Sequence, residues 1–168
     1  RGRKEINGKS IGDDSGMIDV FNVERIANEA GNLFIKQLSN NQDLEELLTS
    51  IQSGLSIRST NLYFNNGETD PRGLHIDTPS PEYKLFLYLT DVTSSKDGPY
   101  TFVPNSHKNG WLSLCNMIFN KYSFGDQKIT DIGFCEDSMS IEILGNAGDL
   151  IISNQSGVHS GTKQETGS

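Results

Sequence analysis

Alanine occurs only three times in 168 residues, histidine three times, cysteine twice and tryptophan once, and no arginine follows Arg72. Each scarcity excludes something. With alanine so rare, and with Gly, Asn and Ser filling 51 positions, the composition favours short strands joined by turns over long helices. The two cysteines, Cys115 and Cys135, lack CxxC spacing and read as buried reduced thiols rather than as a disulfide scaffold or redox pair. No apolar run approaches the ~18 residues of a membrane span, and the first residues lack the charged-then-apolar shape of a signal peptide. Beyond Arg1-Gly-Arg3-Lys4 there is no basic block, and the formal charge is −8, which argues against a nucleic-acid surface. What the chain does hold is core material. Leu, Ile, Val and Phe make up 43 residues, above the roughly 20% level below which chains tend to stay disordered. The expectation is a soluble, cytoplasmic, acidic single domain spanning 1–168, read as a fragment because it opens at Arg1 without a methionine.

Two stretches carry helical periodicity. Val23, Ile26, Ala27, Ala30, Leu33, Phe34 and Leu38 recur at steps of three and four, with Asn22 as the expected N-cap. Leu44, Leu47, Leu48 and Ile51 mark a second helix over 43–51. From Ser56 onward the pattern turns to strands: 57–64, closed by Asn65-Asn66-Gly67; the alternating run 85–90; 100–103, stopped by Pro104; and 141–144 with 150–153 as a hairpin-like pair. The segment 111–122 reads as a helical insertion. Helices first and short strands after suggest a mainly β sandwich or jelly roll with helices outside.

His75-Ile76-Asp77 is the chemically pointed feature. Residues two apart on an extended segment share a side, so the imidazole and the carboxylate can hold one ion. A second imidazole from a distant strand would complete a two-histidine, one-carboxylate face with three open positions, the donor set of non-haem Fe(II) oxygenases. On its own the tripeptide is a weak signal, and a surface turn is its bland alternative.

The motifs in order carry more. Gly73-Leu74-His75-Ile76-Asp77 is followed by 85–92, then by Gly98-Pro99-Tyr100-Thr101-Phe102-Val103-Pro104-Asn105-Ser106-His107-Lys108. Ala147-Gly148-Asp149-Leu150-Ile151-Ile152 and Val158-His159-Ser160-Gly161 come last. Together, over about 57–161, they resemble the phytanoyl-CoA dioxygenase-like family of Fe(II)- and 2-oxoglutarate-dependent oxygenases. The resemblance implies a double-stranded β-helix, a cupin-like jelly roll with flanking N-terminal helices over about 19–52 and a core over about 55–168. It implies His75, Asp77 and His159 as metal ligands and catalytic centre, Fe(II) as cofactor and 2-oxoglutarate as co-substrate. The reaction implied is hydroxylation of a small molecule by O₂ with release of succinate and CO₂. His107 is left to a structural role in its turn. The retained Asp77 favours hydroxylation over halogenation, since the halogenating members lack this carboxylate.

One family feature is missing. The arginine expected about ten residues after the distal histidine, where it anchors the far carboxylate of 2-oxoglutarate, is not in the chain. Either the protein continues past Ser168 with a basic residue and a last strand, or Lys84 takes the role, with the bland alternative that Lys84 merely starts its strand at the solvent edge. Asn61 is a second candidate for the co-substrate. Arg72 could pair with an anionic substrate, and Tyr63, Tyr88 and Trp111 could line the cavity, although core or loop roles compete for each. The partners expected are a small-molecule substrate and O₂, with no nucleic acid and no membrane. Two rival readings stay open: a non-catalytic jelly-roll binding module, and a cupin-type metal dioxygenase that does not use 2-oxoglutarate.

Overall fold

Asparagine starts both of the first two helices, by the same bond. In the computed structural model, which describes residues 2–6, 9–14, 17–25, 27–57, 59–65, 67 and 70–165, the Asn28 side chain accepts from the Gly31 N–H at 2.9 Å and that of Asn41 from the Leu44 N–H at 2.8 Å. Ile26 and Asn66, used in the sequence reading, lie outside the described residues. The chain divides into two compact units, Arg1–Asn65 and Asn66–Ser168, where one domain was expected.

The first unit begins with three strands that the sequence pattern does not announce: β1 (Gly2–Ile6), β2 (Lys9–Asp14) and β3 (Met17–Val20). Helices α1 (Glu29–Ser39) and α2 (Gln42–Ile51) follow. β4 (Leu62–Asn65) then returns to pair with β3, completing an antiparallel sheet in the order β1-β2-β3-β4. Helix α2 buries Leu44 and Leu48, one turn apart. Helix α1 starts six residues later than the periodicity suggests. Asn22 has φ 52°, a left-handed conformation unlike the extended backbone of an N-cap, and Val23–Arg25 is a single 3₁₀ turn.

The second unit contains β5 (Tyr83–Leu87), β6 (Tyr100–Phe102), helix α3 (Gly110–Phe124), β7 (Ile141–Ile143), β8 (Leu150–Asn154) and β9 (His159–Gly161). β6 lies between β7 and β9, and β5 pairs with β8. The expected hairpin of 141–144 with 150–153 is therefore corrected: its two arms belong to different sheets, joined by the Gly145–Asp149 turn. Beyond β9 the sheet continues through single bridges. His75 pairs with His159, and Asp131 pairs with the other edge of His75. The two sheets face one another. The Tyr100 ring stands 4.9 Å from Phe86, its hydroxyl lies 2.7 Å from Ser153 Oγ, and the Tyr88 hydroxyl donates to the Ile143 carbonyl at 2.7 Å.

This is not the expected mainly β, closed double-stranded β-helix. Among the described residues, three α-helices of 11, 10 and 15 residues accompany sheets of four, two and three strands, and no sheet closes. The cause lies in strand length. β6 stops after three residues because Pro104 cannot extend the ladder and Asn105 turns the chain at φ 64°. Strands this short leave too few paired residues to wrap a barrel. Among the described residues no helix is long and apolar enough to cross a membrane.

Helix α3 is present where a helical insertion was expected, and its inward face is largely polar. Its inward stripe is Ser113, Asn116, Met117 and Asn120. Asn116 and Asn120 each donate to the Asp131 carbonyl at 2.6 Å, and Met117 packs against the core of Leu74, Ile76, Val103, Ile132 and Val158. Trp111, Ile118, Phe119 and Tyr122 are exposed. Ile76 and Val158 have no exposed surface, so Ile76→Ala should cost about 2–5 kcal/mol in urea unfolding. Trp111→Ala, at a side chain 77% exposed, should stay within about 0.5 kcal/mol of the parent. Equal losses in the two variants would mean that the core is not where the packing puts it.

Candidate metal centre

The site is assembled by one reciprocal backbone pair. The His75 N–H donates to the His159 carbonyl and the His159 N–H to the His75 carbonyl, each at 2.9 Å. Residues paired in this way project to the same side of a sheet. Their rings accordingly stand side by side, with centroids 4.4 Å apart. Asp77, two residues on, joins them on that side and is tied by its own N–H to the Gln155 carbonyl at 3.1 Å. His75, Asp77 and His159 form a group whose ligand atoms all lie within 4.8 Å of one another.

Each imidazole is oriented by the same device. His75 Nδ1 lies 2.8 Å from the Gly73 carbonyl, and His159 Nδ1 lies 2.9 Å from the Gly157 carbonyl. A carbonyl can only accept, so Nδ1 carries the hydrogen and the Nε2 lone pair is left free. Both Nε2 atoms approach the same carboxylate oxygen, Asp77 Oδ1, at 3.6 Å from His75 and 3.8 Å from His159. Two ligands each about 2.1 Å from a metal and at right angles to one another would stand about 3.0 Å apart. The observed separations exceed that by less than ~1 Å, within reach of a small carboxylate rotation, so the donor set fits a divalent ion.

The charges are set by burial and by two cations. Burial, the facing His159 and Arg72 push the His75 imidazole down to about 4, against the raising effect of the Gly73 carbonyl and Asp77. Burial also lowers His159. Burial pushes the Asp77 carboxyl up, but the Lys84 ammonium, bonded to Oδ2, outweighs it and holds the group below the usual carboxylate range. The metal-free centre therefore has two neutral imidazoles and one ion pair at neutral pH.

The other sequence candidates take varied places. Lys84, on β5, reaches the metal group directly. Arg72 is engaged beside it: Nη2 bonds Asp131 Oδ1 at 2.7 Å and Thr130 Oγ1 at 2.6 Å. Asn61 and Tyr63 belong to the first unit. There the Asn61 side chain accepts from the Asn22 N–H at 3.1 Å, and Tyr63 pairs with Asp19 in the sheet. Tyr88 hydrogen-bonds Ile143, and Trp111 stands in solvent on the first turn of α3. His107 is exposed in the turn after β6, apart from the metal group.

Sequence reasoning missed Tyr100 and Gln155. Tyr100 lies 5.5 Å from His159, ring to ring, and burial pushes its phenol up to about 12, so it stays a neutral donor. Gln155 is fully buried. It holds Asp77 through its carbonyl and reaches the Tyr100 hydroxyl through Nε2 at 3.4 Å. A repeated Gly-x-His, at 73–75 and 157–159, was the one legible trace of this shell. At Gly157 the glycine is required, because a Cβ would run into the Phe102 ring.

His75 makes metal-free stability depend on pH. Its folded-state pKa of about 4 lies below the unfolded value near 6.5, so the unfolded chain takes up the proton first as pH falls. Stability fully present above about pH 6.5 is lost progressively down to about pH 4, on the order of 3 kcal/mol for this residue, with His159 acting in the same direction. Urea unfolding of the metal-free protein across that window should show the midpoint falling, and His75→Gln should flatten the fall. A constant midpoint would mean that water reaches both rings. Comparison of the chain with protein-family models, curated proteins and solved structures returns no match.

Proposed function

We propose that this chain is a phytanoyl-CoA dioxygenase-like enzyme, an Fe(II)- and 2-oxoglutarate-dependent oxygenase that hydroxylates a small molecule in the cytoplasm. The observation that carries the reading is the face made by His75 Nε2, His159 Nε2 and Asp77 Oδ1, with both Nδ1 atoms already committed to carbonyls. A face of two imidazoles and one carboxylate leaves half of an octahedral shell open, room for a chelating co-substrate and O₂. When bound, the iron and co-substrate together supply the oxidation, with succinate and CO₂ as co-products.

The chain's own residues supply position and charge. The carbonyls of Gly73 and Gly157 fix the two rings, and the Gln155 carbonyl fixes the backbone of Asp77. Tyr100 and Phe86 wall the site beside His159 with aromatic surface, which keeps water from one flank. Charge favours a dianionic partner. Asp77 and Lys84 cancel, so a divalent ion brings the centre to a net double positive charge. A dicarboxylate such as 2-oxoglutarate neutralises it, and in a partly dry site that matching is worth more than in bulk water. Cys115 is exposed and Cys135 half-buried, where both were expected to be buried, and neither is in a disulfide.

The test is turnover of 2-oxoglutarate. Protein loaded with Fe(II) without oxygen and then exposed to O₂ should release succinate only when 2-oxoglutarate is added, uncoupled from substrate at first. His75→Ala and Asp77→Ala should each reduce release to background while their unfolding midpoints at neutral pH stay near the parent's. Succinate release surviving in either variant would sink the assignment. O₂ consumption without any need for 2-oxoglutarate would transfer it to the other metal dioxygenases.

A further inference from the structure

We propose that Lys84 is the positioning residue of the metal centre: by holding Asp77 Oδ2 it presents Oδ1, and Oδ1 alone, to the ion. The inference rests on the metal reading above and deepens it. A carboxylate on a freely turning side chain can offer a metal either oxygen or both, and binding through both would use one of the open positions. Here the two oxygens are already distinguished. Oδ1 faces both Nε2 atoms, at 3.6 and 3.8 Å, while Oδ2 receives the Lys84 ammonium. The backbone of Asp77 is fixed independently through Gln155, so rotation of the carboxyl group is the freedom that remains for Lys84 to remove.

The fold delivers Lys84 for this purpose from the opposite sheet. On β5, Lys84 and Phe86 lie on one face, and Phe86 packs on Tyr100, which in turn packs beside His159. Opposite Lys84 on β8 is Ser153, whose hydroxyl meets that of Tyr100. The ammonium thus enters from a wall that is itself tied to the histidine sheet. The lysine side chain is 36% exposed and Asp77's 28%, a half-covered pair that orients without sealing the site.

A double-mutant cycle separates positioning from general support. The metal-free full chain is titrated with Co(II) by calorimetry in four forms: parent, Lys84→Met, Asp77→Asn and the double variant. Lys84→Met should weaken Co(II) binding by about 10–100-fold, the range typical of losing a ligand's hydrogen-bond partner. In the Asp77→Asn background the same change should strengthen binding. An asparagine has one acceptor oxygen, which Lys84 would claim, leaving the amide NH₂ toward the metal; removing Lys84 frees that oxygen to turn. The sign reversal is the signature. Equal weakening in both backgrounds, or no change in either, overturns the proposal. If Lys84→Met does not fold, Lys84→Ala repeats the cycle with the same expectation. Failure of the metal reading itself looks different. The parent would then bind no Co(II), or His159→Ala would bind as tightly as the parent, and either result overturns both.

Discussion

The reciprocal hydrogen bonds between His75 and His159 are the constraint on which the second unit depends. They join positions 84 residues apart, and they do so with the candidate ligand residues themselves rather than with neighbours. Once that pair is closed, its flanks follow. Ile76 can reach Thr130, Leu74 can reach Ile132, Asp77 can reach Gln155, and Val158 can reach Val103, each through a backbone bond of 2.9–3.1 Å. The site is thus a by-product of sheet register. Shifting either segment by one residue would send its ligands to the other face, into the apolar core.

That arrangement carries an electrostatic cost. Burial holds both imidazoles below the ordinary histidine range, and for His75 the facing His159, with centroids 4.4 Å apart, adds to it. Burial raises the Asp77 carboxyl beside them, but Lys84, with smaller help from His159 and His75, holds it below the usual carboxylate range. The centre is therefore ready for a cation without first losing protons near neutral pH, which is what a resident divalent ion requires of its ligands. Arg72 adds positive potential close by, but its guanidinium is already bonded to Asp131 and Thr130.

How much of this could be read from the sequence depends on the range of the interaction. His75 and Asp77 were legible because a spacing of two has one meaning on an extended segment, and α2, capped by Asn41, begins at Gln42, one residue before the predicted start. Helix α3 was legible in extent but not in facing. Its residues are apolar around much of the circumference, and the asparagines that dock it on the Asp131 carbonyl look, in sequence, like a solvent face. Asn22 and Asn28 are equally good N-caps by residue type; only the left-handed turn at Asn22 separates them. The jelly roll was an expectation drawn from the order of helices and short strands and sharpened by resemblance to a closed double-stranded β-helix. The strands that would build it end too soon, as Pro104 and Asn105 do to β6. β1 to β3 carried too few paired apolar positions to register as strands. Lys84 was visible as a cation near the site, but its partner was not, since seven residues and a turn separate it from Asp77.

The absence of closure does not remove the site, because the two faces of one small sheet divide the labour. Strand alternation places Leu74, Ile76, Val103, Ile132 and Val158 on the back of the ribbons and His75, Asp77 and His159 on the front. The back is covered by α3 through Met117, and it supplies the buried apolar area that holds the ribbons in place. The front faces β5 and β8 across Phe86, Tyr100 and Ser153. Polar groups there meet partners from a second sheet: Lys84 for Asp77, Ser153 and Gln155 for Tyr100. A site built this way needs three paired segments behind it and two strands before it, and the second unit provides both without a closed barrel. The back face can hold its packing whether or not an ion is bound, while the front keeps its open side for ligands.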